Sequence, residues 1–405
     1  MASLIAVAGA VLFCTIETAS GPTPYLLFDG KASSTSSVSC GKGTKTYIIP
    51  AGLVMTSIGQ WVTITPTKDT TIFMSGTITS YDRNSGALTV NITETNGFET
   101  YRDWKIVSGK TNSVVDSARQ AYTDLKFGMF IHFNMSTFDR CCCDGCYSVS
   151  GEWGLANRDP KLFNPTKLNC GQWADVAKSA GCRYMVLTTK HHDGFCNWPT
   201  KYTNYCVTNA GVTRDVVREF VDSARAEGLK VGLYYSIRDL TNGFELSFIK
   251  GQLTELLTNY GEIICIWFDG WGWGPGYNRV PYDTVRGYIK SIQPNCLIVE
   301  NNHEFTTVHS EMIEYEMPID GPPKLGNIRP AEGNEPIRAD QCWFWHPNRE
   351  CDIQSAQSIV DQLTENNSRN ASYLLDLTPD TTGLIPECQA ARMKDVGQLR
   401  GVPQQ

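Results

Sequence analysis

A short segment in the middle of the chain places polar, reactive side chains directly after an apolar run. Residues 184–187 (Tyr-Met-Val-Leu) are followed closely by Lys190, His191, His192 and Asp193. Imidazole and carboxylate groups can hold metals, move protons or bind substrate hydroxyls. Packing alone does not favour such groups at the end of a buried strand. The segment therefore predicts the rim of an active site.

Apolar runs of strand length alternate with amphipathic helical patterns from about residue 116 onward. The helical patterns at residues 172–180 and 213–227 stop at Gly181 and Gly228, which suit the left-handed cap of a helix. Strands buried on both faces and separated by helices form a parallel sheet. Eight such repeats predict a (β/α)8 TIM-like barrel, an α/β fold. The predicted strands are residues 128–133, 184–188, 231–236, 263–268, 297–300, a short run near 315, 343–345 and 373–377.

Most of these strands end in a polar residue that a packed core would exclude. In a (β/α) barrel the carboxyl ends of all strands meet at one face, where active sites lie. Each such residue, taken alone, is more simply explained as a hydrogen-bonding residue at a strand end. Their repetition over most of the strands indicates a site. The residues are His132, His191, His192, Tyr235, Asp269, Glu300 and Asp376.

Asp269 is the sharpest single candidate for chemistry, because it ends the run Ile-Trp-Phe-Asp before a glycine. A carboxylate beside aromatic surface suits the hydrolysis of a glycosidic bond, which uses two carboxyl groups. A metal centre built on Asp269 and the histidines His132, His191 and His192 is the alternative. Adjacent histidines on a strand point to opposite faces, which argues against a shared ion. We therefore predict neither a metal nor another cofactor.

The composition limits the class of protein. The 405 residues have a formal net charge of −7 and 41% hydrophobic content, so a core can form and nucleic acid is not an expected partner. Of the fifteen cysteines, four fall within residues 141–146. Structural disulfides or buried thiols explain them better than zinc, because no second pair with ligand spacing follows. The Cys-rich loop, residues 140–146, follows the first predicted barrel strand and is expected near the mouth of the site.

The first quarter of the chain has a different pattern. Residues 24–107 are rich in Thr, Ser, Gly and Val, and their short alternating runs predict a small all-β domain. Residues 82–86 have the composition of a hairpin turn. An apolar segment within residues 1–20 is too short to span a bilayer and fits either a cleaved signal or a strand. We divide the chain into this segment, an all-β module at 21–110 and a barrel at 111–405, and we predict no transmembrane segment.

Four stretches of the all-β module carry a resemblance, at residues 41–47, 76–81, 86–90 and 101–106. In these stretches the module resembles a small repeat module of phage and virus tail or fibre proteins. The resemblance implies attachment to a virus particle, and with it an extracellular or virion-associated location.

Six stretches of the barrel region form a specific set of motifs, at residues 127–133, 151–154, 163–166, 190–200, 267–270 and 367–375. Together they resemble the α-L-fucosidases of glycoside hydrolase family 29, from about residue 115 to 388. The resemblance implies a metal-free barrel enzyme that retains the anomeric configuration, with Asp269 as the nucleophile. For one fucose-binding group it implies a tyrosine of the pair Tyr234 and Tyr235, and we take Tyr235. The other implied fucose-binding residues are His132, Glu152, Trp153, His191, His192 and Trp267.

The same resemblance suggests the acid/base. In similar family members a Pro-Ala-Glu segment is followed shortly by Trp-Phe-aromatic-His, and here residues 330–332 precede residues 343–346. The resemblance therefore implies Glu332, with Glu335 and Glu316 as alternatives. The acid needs a raised pKa, and the carboxyl groups of a retaining pair lie roughly 5–5.5 Å apart.

These expectations lead to three hypotheses about function. The first is an exo-acting retaining α-L-fucosidase that removes terminal fucose from a fucosylated oligosaccharide or glycoprotein glycan. The second is a fucose-binding adhesin on a virus particle or cell surface that has lost catalysis. The third is a metal-dependent hydrolase.

Overall fold

The computed structural model describes residues 31–50, 58–68, 72–97, 99–108, 113–139, 152–305, 309–327 and 329–403. The apolar segment within residues 1–20 and the Cys-rich loop lie outside these ranges. The chain divides into two compact units, one ending at Lys110 and one beginning at Thr111. Among the helices of the described residues, none is long and apolar enough to cross a membrane.

The first unit is built from antiparallel strands, which confirms the predicted all-β domain. The strands are β1 (Lys31–Ser34), β2 (Val38–Ser39), β3 (Gly43–Ile48), β4 (Trp61–Pro66), β5 (Phe73–Asp82), β6 (Ala87–Asn96), β7 (Thr100–Tyr101) and β8 (Trp104–Ser108). Six of them form a sheet in the order β1-β8-β4-β5-β6-β3, and β2 pairs with β7.

The predicted hairpin joins β5 to β6, and Asp82 pairs with Ala87 across its turn. The Asp82 carboxylate accepts hydrogen bonds from the Asn84 N–H at 2.9 Å and the Ser85 hydroxyl at 2.6 Å. Gly86 has a φ of 73°, which the left-handed turn requires. Alternate strand residues fill a separate small core. Its buried members include Tyr47, Val62, Ile64, Leu88, Val90, Trp104 and Ile106.

The second unit contains eight parallel strands, as predicted. They are β9 (Phe127–Ile131), β10 (Tyr184–Lys190), β11 (Lys230–Ser236), β12 (Cys265–Asp269), β13 (Leu297–Glu300), β14 (Ile313–Glu316), β15 (Ala331–Pro336) and β16 (Ala371–Leu377). Strands that are consecutive in the chain pair with each other, except β13 and β14, which lie at the two ends of the sheet order, and β16 pairs with β9. A single parallel bridge links Val299 of β13 to Met312, the residue before β14. The sheet is thus a nearly closed barrel.

The helices of the second unit lie between the barrel strands, except that the first precedes β9 and the last follows β16. They are α1 (Ser113–Thr123), α2 (Met135–Phe138), α3 (Cys170–Ala180), α4 (Val216–Ala226), α5 (Leu246–Asn259), α6 (Tyr282–Ile292), α7 (Met317–Asp320), α8 (Ala356–Ser368) and α9 (Glu387–Leu399), with short 3₁₀ helices at Pro160–Leu162 and Val207–Asn209. The helix α3 begins where the Asn169 side chain accepts from the Gln172 N–H and ends at Gly181 with a φ of 78°. Gly228, with a φ of 74°, follows α4. Both glycines therefore lie at the predicted helix ends.

One predicted strand is wrong. Residues 343–345 are not a strand, and the seventh barrel strand is β15, whose sequence Ala-Glu-Gly-Asn-Glu-Pro has few strand-forming residues. Pairing with β14 and β16 overrides this low propensity. Gly333 lies close to α8, because a Cβ atom there would be 2.2 Å from Oδ1 of Asn366 and would force that side chain to move.

Alternate residues of the barrel strands face two different cores. The set that fills the barrel interior includes Phe130, Val186, Tyr234, Trp267 and Leu374. The set that packs against the helices includes Ile131, Leu187, Tyr235, Phe268 and Leu375. The position of a residue in this alternation decides whether its side chain can reach a site inside the barrel mouth.

Cysteines of the described residues occur both as disulfides and as buried thiols. Cys351 and Cys388 form a disulfide across 37 residues, and Cys342 is also disulfide-bonded. Buried free thiols are found at Cys170, Cys182, Cys196, Cys206, Cys265 and Cys296. Both of the explanations that the sequence allowed therefore apply.

Candidate active site

A cavity of about 290 Å³ lies at the carboxyl ends of the barrel strands, where the fold predicts a site. The polar residues that line it are His132, Glu152, His191, His192, Asp269, Asn301, His303, Glu316 and Asn334. The aromatic and aliphatic residues are Phe130, Trp153, Tyr234, Trp267, Trp273, Ile319 and Trp343.

Asp269 is the last residue of β12, and its carboxylate is held from several sides. Its Oδ2 accepts a hydrogen bond from the Tyr234 hydroxyl at 2.9 Å, and its Oδ1 accepts one from the Gly270 N–H at 2.6 Å. Trp273 also hydrogen-bonds to this side chain. Burial raises the pKa of Asp269, and these hydrogen bonds oppose the rise because they stabilise the carboxylate. The carboxylate is therefore fixed in orientation.

Glu316 is the last residue of β14 and brings a second carboxyl group into the same cavity. Its Oε2 accepts from Nδ2 of Asn301 at 2.8 Å, and its Oε1 accepts from Nε1 of Trp343 at 3.2 Å. Burial raises the pKa of Glu316 to about 7, and the negative charge of Asp269 contributes to the rise. Two carboxyl groups with different environments can take the separate roles of a nucleophile and an acid.

Of the four histidines that line the cavity, His132, His191 and His192 have neutral rings. Burial lowers the pKa of all three, to about 3 for His191. Nδ1 of His132 lies 2.8 Å from Oδ1 of Asp376, and Nδ1 of His192 lies 2.6 Å from Oγ of Ser236. A partner on one ring nitrogen fixes the tautomer and so decides what the other nitrogen offers. These rings can bind hydroxyl groups without adding charge to the cavity.

His191 and His192 face the same cavity, so the expectation of opposite faces is wrong. The strand β10 ends at Lys190, and the pair lies in the turn beyond it, where strand alternation no longer applies. The centroids of the two rings are 4.2 Å apart. Nζ of Lys190 lies 2.9 Å from Oδ2 of Asp239, and both side chains are fully buried. This ion pair joins the last residue of β10 to the segment that follows β11 and so supports the position of the His pair.

Aromatic rings form the apolar part of the cavity. Phe130 and Trp267 pack edge to face with centroids 5.3 Å apart, and Tyr234 stacks on Trp267 at 5.6 Å. Trp153 and Trp273 pack at 5.3 Å, and Trp273 is 39% exposed. Rings of this kind bind the C–H faces of a ligand whose other groups need hydrogen bonds.

Comparison with known proteins identifies the family. Residues 103–401 match the family model described as alpha-L-fucosidase. The chain belongs to the α-L-fucosidase family. Alpha-L-fucosidase 1 of Arabidopsis thaliana is 31% identical over 306 residues, which cover 67% of this chain and 57% of that protein. The chain thus spans little more than half the length of this plant relative.

Solved structures of α-L-fucosidases share the fold. Alpha-L-fucosidase isoenzyme 1 from Paenibacillus thiaminolyticus is similar with a TM-score of 0.61 and 29% identity, covering 71% of this chain and 76% of that one. A glycoside hydrolase 29 family member from an unknown rumen bacterium has a TM-score of 0.58 and 28% identity, covering 70% of this chain and 56% of that one. These similarities agree with the family 29 resemblance of the barrel motifs.

Most of the residues predicted to bind or attack a fucoside line the cavity. Their roles stay predictions, but their positions put them within reach of one ligand. Oε1 of Glu152 also accepts from the Phe344 N–H at 3.0 Å, which ties the segment after α2 to the segment after β15. The predicted residues that line the cavity are His132, Glu152, Trp153, His191, His192, Trp267 and Asp269.

The choice of Tyr235 as a fucose-binding residue is wrong in position, because Tyr235 lies outside the cavity. Tyr234, the other tyrosine of the pair, lines the cavity instead. Tyr235 faces the helices, and its hydroxyl donates to Oε1 of Gln252 in α5 at 2.7 Å. Tyr234 pairs in register with Trp267 and shares its inward orientation. Alternation puts Tyr234 and Tyr235 on opposite faces of β11, and the register with β12 decides that Tyr234 is the one that faces the cavity.

Glu332 does not reach the cavity, so its prediction as the acid/base needs correction. It pairs with Glu314 in register, two residues deeper in the barrel than Glu316. The Glu332 carboxylate is fully buried and accepts from Nε1 of Trp267 at 2.9 Å. It also accepts from the hydroxyl groups of Tyr122, Tyr184 and Ser372. The indole of Trp267 thus contacts both this carboxylate and the cavity.

The two alternatives to Glu332 differ in position. Glu335 follows the outward alternation of β15, and its Oε1 accepts from the Tyr373 hydroxyl at 2.5 Å, away from the residues that line the cavity. Glu316 lines the cavity together with Asp269. Sequence reasoning also missed Trp273, Asn301, His303 and Asn334, which lie in irregular segments or on the atypical strand β15.

Three side chains of the cavity could in principle hold a metal ion. The ligand atoms of His191, His192 and Asp269 lie within 4.8 Å of one another. The Tyr234 hydroxyl and the Gly270 N–H each donate one hydrogen bond to Asp269. Each carboxylate oxygen keeps a further lone pair, so the expectation that no metal binds here stays a prediction.

We expect activity to be unchanged by EDTA, because no step needs a Lewis acid if Asp269 and Glu316 supply the chemistry. The measurement compares kcat/KM on an aryl α-L-fucoside before and after dialysis against EDTA. Loss of activity that added Zn²⁺ restores would instead support a metal held by the histidines.

Proposed function

We propose that the protein is an exo-acting retaining α-L-fucosidase in which Asp269 is the nucleophile and Glu316 is the acid/base. The observation that carries this proposal is the presence of both carboxyl groups in one cavity of an α-L-fucosidase family member. The pKa of about 7 at Glu316 supports the assignment, because a general acid must hold its proton when substrate binds.

The first step forms a covalent intermediate. Glu316 donates its proton to the glycosidic oxygen while the Asp269 carboxylate attacks the anomeric carbon, so that the bond to the leaving group breaks and a fucosyl ester forms. The Tyr234 hydroxyl and the Gly270 N–H hold the nucleophile in place during the attack. Loss of the leaving group frees the space that water needs.

The second step reverses the roles. Glu316, now a carboxylate, takes a proton from water, and the water oxygen attacks the anomeric carbon to release Asp269. Two inversions give net retention of configuration. The hydrogen bonds from Asn301 and Trp343 support Glu316 in its carboxylate form.

The cavity suits one terminal deoxy sugar. Its volume of about 290 Å³ is at the small end of ligand pockets, which favours exo action. The neutral rings of His132, His191 and His192 offer hydrogen bonds to hydroxyl groups, and the aromatic rings offer apolar surface to C–H groups and a methyl group. The substrate class is a fucosylated oligosaccharide or glycoprotein glycan.

The N-terminal module adds a proposal about location. Its resemblance to tail and fibre modules supports an attachment role and an extracellular or virion-associated protein. Fractionation of the producing culture, with the full chain followed by antibody, tests this. Recovery with virus particles or in the medium would support it, and recovery only inside cells would contradict it.

The function is tested by incubating the purified chain with an aryl α-L-fucoside and a fucosylated oligosaccharide while ¹H NMR follows the first-formed sugar. We expect release of fucose as the α anomer. First-formed β anomer would contradict a retaining mechanism. Binding of fucose without any release would favour an adhesin, a hypothesis that family membership does not support.

A further inference from the structure

His303 lies at the cavity in an unusual backbone conformation. It follows β13, its φ is 55°, and its side chain is 32% exposed. A non-glycine residue rarely adopts a positive φ unless its surroundings hold it there. The imidazole lines the cavity together with Asp269 and Glu316.

Asp320, the last residue of α7, holds the imidazole. Its Oδ2 lies 2.8 Å from Nδ1 of His303, and the same oxygen accepts from the Glu316 N–H at 3.0 Å. On the other side of the ring, Nε2 of His303 lies 3.9 Å from Oε2 of Glu316. Asp320, the His303 ring and the Glu316 carboxyl group are therefore linked in a row.

We propose that His303, held by Asp320, is a positioning residue that acts on Glu316 through its charge and so sets the pH range in which Glu316 can give up and take back a proton. This inference rests on the proposed role of Glu316 as the acid/base.

The surroundings of the two groups explain why one cation matters. His303 faces the carboxyl groups of Asp320, Glu316 and Asp269. Glu316 faces His303, Asp320 and Asp269, and it also affects the neighbouring Glu314. The His303 imidazole is the cation-forming group in this carboxyl-rich set. The hydrogen bond to Asp320 raises the pKa of His303, which favours the charged ring.

The sign of the effect follows from the charges. A protonated His303 stabilises the Glu316 carboxylate and so lowers the pKa of Glu316. Without the cation, Glu316 would keep its proton to higher pH. The acid form needed for the first step would then persist further into the alkaline range, whereas the carboxylate needed for the second step would form less readily. His303 therefore balances the two steps.

The test compares the pH dependence of kcat/KM in His303→Asn and His303→Lys. Asn tolerates a positive φ and is neutral, whereas Lys keeps a positive charge. We expect the alkaline limit of the Asn variant to move upward by about 0.5 to 1 pH unit. The alkaline limit of the Lys variant should not move upward, because the positive charge beside Glu316 is kept. His309→Asn is the matched control, because His309 also contacts a carboxylate, Oε2 of Glu304 at 3.1 Å, but does not line the cavity.

An unmoved alkaline limit in His303→Asn, or equal upward shifts in the Asn and Lys variants, would overturn the inference. A drop in kcat without a pH shift would indicate that His303 only holds the segment. The second measurement, NMR titration of the His303 ring in wild type and Glu316→Gln, does not require a His303 variant to fold. The pKa of the His303 ring should be lower in Glu316→Gln than in wild type, because the neighbouring negative charge is removed. An unchanged pKa of His303 would also overturn the inference. An inactive wild type would instead refute the proposed function.

Discussion

Replacing Asp269 with Asn is expected to reduce kcat/KM on both aryl and oligosaccharide fucosides by about 10⁴-fold or more. Losses of this size are typical when an enzyme's covalent nucleophile is removed. The amide cannot form the fucosyl ester, although it can still occupy the position next to Tyr234 and Gly270. Binding of fucose should therefore persist. Steady-state kinetics and a fucose titration measure the two effects separately.

The matched control for this variant is Asp222→Asn, which changes an exposed carboxylate on α4 whose side chain is 62% exposed. We expect it to leave kcat/KM unchanged. A second variant, Asp269→Ala, makes room for azide, and the rescued product should be the β-fucosyl azide because a single displacement inverts the configuration. Substantial turnover by Asp269→Asn would contradict the assignment.

Replacing Glu316 with Ala is expected to lower kcat/KM by about 10²- to 10⁴-fold on a fucosylated oligosaccharide, because its leaving group needs a proton. The loss in the first step should be much smaller on an aryl fucoside with a good leaving group. Azide should restore turnover and give the α-fucosyl azide, since it attacks the covalent intermediate in place of water.

Glu332→Ala provides the comparison that separates the two carboxyl groups. Among the described hydrogen-bond partners of Glu332, Trp267 is the one that lines the cavity. Replacement of Glu332 should therefore affect aryl and oligosaccharide substrates alike and should not respond to azide. Because three hydroxyl groups and an indole lose their acceptor, the variant should also unfold at a lower temperature. The acid/base would have to be assigned to Glu332 instead of Glu316 if the loss of kcat/KM depended on the leaving group in Glu332→Ala and did not depend on it in Glu316→Ala.

The sequence predicts the barrel well because its strands are long apolar runs that end in polar residues. Asp269 could be found in this way, since nothing in core packing explains a carboxylate after residues 265–268. The strand β15 could not be found by the same pattern. Its Gly, Asn and Pro residues are poor strand formers, and pairing with β14 and β16 decides its structure.

The acid/base illustrates what a local motif leaves out. The motif predicts Glu332, because residues 330–332 shortly precede residues 343–346, as in similar family members. The register between β14 and β15, however, places Glu332 deep in the barrel. Glu316 reaches the cavity because it is two residues closer to the strand end than Glu314, which pairs with Glu332. Likewise, Tyr234 rather than Tyr235 faces the cavity because successive strand residues point in opposite directions. Alternation can be read from one strand, but the register that decides which face points inward becomes visible only when the neighbouring strands are known.

The central claim is a covalent intermediate on Asp269, and trapping this intermediate tests it most directly. A 2-deoxy-2-fluoro-fucosyl fluoride has a good leaving group, whereas its fluorine at C2 disfavours the positively charged transition states of both steps, so the ester accumulates. After proteolysis, mass spectrometry should find one fluorofucosyl group on the peptide that contains Asp269, and none in Asp269→Asn. An adduct on another residue, or an active enzyme that forms no adduct and releases inverted product, would contradict the account.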